Sequence, residues 1–77
     1  MSVPPARRFP APWQAVELED AYCIVDANGF PVAYVYFDDD AQQRAGSDRM
    51  SRAEARRMAV RIAALPELRQ ALRDQGD

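Results

Sequence analysis

Lysine and histidine are both absent from this 77-residue chain, and cysteine occurs once. All ten basic residues are therefore arginine. Without histidine the chain lacks the commonest general base and the commonest metal ligand. A lone cysteine, Cys23, excludes an internal disulfide, which fits a reducing compartment. Glycine is scarce as well, at positions 29, 46 and 76, so no glycine-rich loop exists to cradle phosphate. Long apolar runs are missing. The longest strongly apolar one is Val32–Phe37, and Arg7 and Arg8 have no apolar stretch behind them. Neither a membrane span nor a signal peptide is expected, and a cytoplasmic protein is the default reading.

These absences also bear on catalysis. Serine stands only at positions 2, 47 and 51, and Cys23 has no basic neighbour in its strand, so no nucleophile–base arrangement is legible. Carboxylates such as Glu17 and Asp26 need a sheltered pocket to act as acid and base. The run Asp38–Asp40 invites a calcium reading, but the sixth loop position, which must be glycine, is Gln43, and the fifth is Gln42. A non-catalytic protein with no cofactor and no metal is the expectation.

What the chain does contain is a hydrophobic content of 48%, which argues against disorder beyond the ends. Four of the six prolines fall within the first twelve residues. The sequence therefore divides into a disordered proline-rich tail over 1–12, one domain over 13–72, and a frayed end over 73–77. The net charge of −2 is unevenly placed. Residues 1–43 hold two arginines against seven acids, and residues 44–77 hold eight against five. Two segments that neutralise each other within one fold explain this more simply than a nucleic-acid face does.

The chain is organised around Ala21–Phe37, two apolar runs joined across Asp26-Ala27-Asn28-Gly29. That junction predicts a β-hairpin, which can close in two registers. A two-residue turn on Asn28-Gly29 pairs Val25 with Val32. A type I turn on Ala27-Asn28, with Gly29 left-handed in a bulge, pairs Asp26 with Phe30 and suits the aspartate and glycine better. In the second register Cys23, Val25, Ala33, Val35 and Phe37 share one face. Tyr22, Ile24, Val32, Tyr34 and Tyr36 share the other.

Trp13–Leu18 reads as a first strand, and Asp38–Asp40 ends the third. Ala41–Arg49 reads as a flexible loop. Ser51 and Glu54 form a capping box, and Ala55, Met58, Ala59, Ile62 and Ala63 recur at helical spacing behind it. Pro66 is placed to start a short second helix carrying Leu65, Leu68 and Leu72. The predicted fold is α+β: a three-stranded antiparallel β-meander, one packed α-helix and a short C-terminal helix.

One helix covers one sheet face, which leaves aromatics over. Trp13, Tyr22, Ile24, Val32, Tyr34 and Tyr36 are the expected interface of a protein-interaction module, one that self-associates as a weak homodimer. Pro31 and Asp38–Asp40 obstruct the third strand as a pairing edge, so the face is the expected contact. Cover by Leu65–Leu72 within the chain is a competing expectation. The alternative function is nucleic-acid binding, with Arg52, Arg56, Arg57 and Arg61 on phosphates and the aromatics stacking on bases.

The order Pro12-Trp13, Asp26-x-Asn28-Gly29, Ala33-Tyr34-Val35-Tyr36-Phe37, Glu54-Ala55-Arg56-Arg57, Ile62-Ala63 and Leu65-Pro66-Glu67-Leu68 resembles a family of short bacterial proteins of unknown function. The likeness covers Trp13–Leu72. It implies the architecture and brings no activity, cofactor or site residue.

Overall fold

The computed structural model describes residues 8–46 and 48–75. Three strands, β1 (Gln14–Glu17), β2 (Ala21–Val25) and β3 (Pro31–Tyr36), form an antiparallel meander in the order β1-β2-β3. Helices α1 (Ala41–Ala45), α2 (Arg52–Ala63) and α3 (Leu65–Gln75) follow. The α+β meander read from the sequence is thus the fold.

The β2–β3 turn is the bulged one. The Gly29 N–H donates to the Asp26 carbonyl at 3.0 Å, and the Asp26 N–H donates to the Phe30 carbonyl at 3.0 Å. Gly29 sits at φ +82°, in the left-handed region where a side chain is strained. The buried Asp26 carboxylate accepts from the N–H groups of Asn28 and Phe30, each at 2.9 Å, so the turn closes on its own first residue.

A second irregularity was not legible. Val25 pairs with Pro31, but Ile24 pairs with Ala33, which leaves Val32 as an extra residue. Such a bulge shifts every later pair by one position and exchanges the faces. Tyr22 and Ile24 therefore join Val35 and Phe37, with Ala33, Val32 and Trp13 packed alongside. Cys23 instead lies opposite Tyr34. The expected grouping of Tyr22 and Ile24 with the exposed tyrosines is corrected accordingly.

Helix α2 covers that core face. Ser51 and Glu54 form the capping box expected, each side chain taking up an N–H of the first turn. Ala55 and Ala59, both fully buried, let the helix axis approach the sheet closely. Met58, counted in the apolar stripe, stands at the margin and is 41% exposed.

Three boundaries differ from expectation. The loop over Ala41–Arg49 contains α1, whose first turn is capped by Asp40 accepting from the Gln42 N–H at 2.9 Å. Helix α3 continues to Gln75, past the point where fraying was expected. The tail is tied down from Phe9 onward. The Phe9 carbonyl accepts from the Trp13 indole at 2.9 Å, Ala27 N–H donates to the Pro10 carbonyl at 2.9 Å, and the Phe9 and Phe30 rings lie 6.0 Å apart. The rest of the proposed tail, residues 1–7, lies outside the described residues, as do residues 76 and 77 of the C-terminal end.

Candidate functional site

The sheet face turned away from α2 carries Val16 on β1, Cys23 on β2, and Tyr34 and Tyr36 on β3. Cys23 and Ala21 are buried, flanked by the larger side chains of the outer strands. Tyr34 and Tyr36 are 50% and 64% exposed, and their rings stack at 6.1 Å between centroids with 22° between planes. The sulfur of Cys23 beside it is the main influence that raises the Tyr34 phenol above its ordinary pKa.

Of the six residues expected at an interface, the structure leaves two there. Tyr22 and Ile24 are 5% and 0% exposed, beneath α2. Val32 and Trp13 are half-buried against the same core. Helix α3 does not cover the tyrosines: among the elements it packs only on α2, and Leu65, Leu68 and Leu72 stay exposed.

A groove of about 820 Å³ runs along β3, between Tyr34 and Tyr36 on one side and Met50, Met58 and Ile62 on the other. Its position follows from the topology, because β3 is an outer strand of the sheet and α2 packs chiefly on β2, reaching β3 least. Reasoning from the sequence missed Met58 as a surface residue and Met50 as a half-buried residue packed on the core. The signal that was available is the width of the helix: alanines at 55 and 59 centre it, which pushes Met58 to the flank.

The arginines separate into two sets. Arg52 is committed: its guanidinium lies 2.7 Å from Asp39, 3.3 Å from Glu17 and 4.4 Å above the Phe37 ring. Arg56, Arg57 and Arg61 are exposed on α2 and line a shallow depression with Val60. They lie on the helix side of the sheet, whereas Tyr34 and Tyr36 lie on the far side.

Around Arg52 a polar network joins three elements. Glu17 accepts from the Tyr22 hydroxyl at 2.6 Å as well as facing Arg52. That hydroxyl bond is the largest influence on Glu17 and, with Arg52, holds its carboxyl below the ordinary range. The same bond pushes Tyr22 upward. A carboxyl whose pKa is lowered by folding contributes stability above its unfolded pKa, and loses it as pH falls through the folded value. The melting-temperature gap between wild type and Glu17→Gln is therefore expected at neutral pH and closes in acid. A gap that persists unchanged in acid refutes this role for Glu17.

The aspartates of Asp38–Asp40 face protein groups: Asp38 accepts from the Asp40 N–H at 2.9 Å, and Arg49 lies 3.8 Å from Asp38. Among the described residues no cluster of acidic or cysteine side chains is arranged to hold a metal ion. No helix among them is long and apolar enough to cross a membrane. Comparison with protein-family models, curated proteins and solved structures finds no match to this chain.

Proposed function

We propose that this chain is a protein-interaction module whose contact surface is the Tyr34–Tyr36 face and the adjoining groove along β3. The observation that carries it is the stacked, half-exposed tyrosine pair on a sheet face that no described element covers. Tyrosine brings a large apolar ring, a polar tip and few rotors to order, which is why it is enriched at protein interfaces. Nucleic-acid binding is supported less well. It needs cations and stacking rings on one surface, and here Arg56, Arg57 and Arg61 stand across the sheet from the tyrosines.

The test compares two variants of the immobilised full chain against lysate of the source cells. Tyr34→Ser/Tyr36→Ser is expected to lose the captured protein, and Arg57→Ser/Arg61→Ser to keep it. The reverse pattern, together with a salt-sensitive shift of single-stranded oligonucleotides, overturns the proposal in favour of the arginine surface.

A further inference from the structure

The hydrogen bonding of β3 shows which of its backbone groups face outward. The Phe37 N–H donates to the Asp20 carbonyl on the β2 side at 3.2 Å. Antiparallel ladders alternate, so Val35 and Ala33 also bond inward, and the N–H and C=O of Tyr34 and Tyr36 point to the free edge. Exposed edges are normally blunted by charge, proline or a bulge. Between Pro31 and Phe37 there is no charged residue at all.

The blunting lies at the two ends instead. Pro31 opposes Val25 next to the bonded Asp26–Phe30 pair, so its missing N–H is on the outer edge. At the other end the Asp38 N–H is taken by the Met50 carbonyl at 2.9 Å. The Val32 bulge bends the strand just inside Pro31. Among the described residues, what remains open is a short window centred on Val35.

We propose that this window pairs with the same window of a second copy, antiparallel, across a two-fold axis at Val35. The proposal rests on the interaction-module reading above and names its partner. In this register the N–H and C=O of Tyr34 meet those of Tyr36 of the second copy, and the reverse. The window is thus its own complement, as an isologous contact requires. Where Met50 occupies the edge beside Asp38, the second strand has reached its own Val32 bulge and turns away. On the far face the two stacked tyrosine pairs adjoin to form one cluster. On the helix face Met58 and Ile62, which line the groove, close over the junction. A two-fold contact is closed, so the product is a dimer of the 8.7 kDa chain and not a fibre.

Sedimentation equilibrium combined with amide exchange tests this on the intact wild type. A dimer is expected, with the Tyr34 and Tyr36 amides exchanging roughly tenfold more slowly at high than at low concentration, as mass action dictates. Tyr34→Pro removes an outward N–H without costing a bond to β2, and a folded variant is expected to be monomeric. A folded Tyr34→Pro variant that stays dimeric overturns the proposal. So does a wild-type dimer whose Tyr34 and Tyr36 amides stay unprotected, because it associates through the face alone. A wild type monomeric at several hundred micromolar overturns the self-pairing as well. In that last case the interaction-module reading stands or falls separately, on the capture experiment with the serine variants.

Discussion

Ile24→Asp is expected to unfold the domain at neutral pH, whereas Tyr36→Asp on the neighbouring strand is expected to leave it folded. Ile24 is fully buried between the sheet and α2, in contact with the core that Ala55 and Ala59 close. Truncating a core isoleucine alone costs about 2–5 kcal/mol. The carboxylate adds the penalty of an unpaired charge out of water. A chain of this length has of order 4–12 kcal/mol of total stability, so little native state survives. Tyr36 stands 64% exposed on the other face, where substitutions change stability by about 0.5 kcal/mol. Circular dichroism and amide spectra of the two variants decide the matter. A cooperative, wild-type-like melt for Ile24→Asp refutes the Val32 bulge and returns Ile24 to the open face.

That contrast marks where the sequence stopped being informative. Both Tyr22–Val25 and Val32–Phe37 are apolar in each phase of a two-residue repeat, so alternation alone does not say which set faces the helix. On β3 chemistry separates the sets, since Ala33, Val35 and Phe37 lack the polar tips of Tyr34 and Tyr36, and the structure places them so. On β2 nothing comparable exists. The bulge at Val32 then decides the phase, and Pro31 beside it does not specify it, because proline suits the start of an edge strand equally well. Features held by near neighbours in sequence were legible: the Asp26–Gly29 turn and the Ser51–Glu54 cap close on residues a few positions away.

Long-range contacts were the harder part. Proline content reads residues up to Pro12 as extended tail, but the carbonyls of Phe9 and Pro10 are bonded to Trp13 and to Ala27 in the hairpin turn. The first is local and the second is not, and neither leaves a trace in composition. Helix α1 was legible in principle, because Asp40 precedes the helix-favouring Ala41-Gln42-Gln43 and Gly46 follows. The charge run at Asp38–Asp40 hid it. Arg52 shows the same limit at the candidate site. Helical spacing places it at the margin of the stripe, while its capture by Glu17 and Asp39 depends on how α2 lies across the sheet.

Asp26→Ala is expected to cost roughly 2–4 kcal/mol, counting about 1–3 kcal/mol for each N–H deprived of its acceptor and allowing for partial rescue by water. The Asp26 side chain is buried and its Oδ1 accepts from both Asn28 and Phe30. Alanine leaves those two donors without it, in a turn whose Gly29 already holds a left-handed conformation. Asp26→Asn keeps an acceptor oxygen in the same place and is expected to cost less than about 1 kcal/mol, because asparagine closes the same kind of turn. Urea unfolding at neutral pH reads both, with the midpoint falling for alanine and the slope unchanged. An alanine variant within about 0.5 kcal/mol of wild type shows that the strands set the turn and not the carboxylate. The consequence reaches the candidate site, since the turn sets where β3 starts against β2. A looser turn frees the register that brings Tyr34 opposite Cys23. The alanine variant is therefore expected to weaken association through Tyr34 and Tyr36 even under conditions where it stays folded, and the asparagine variant is expected to restore it.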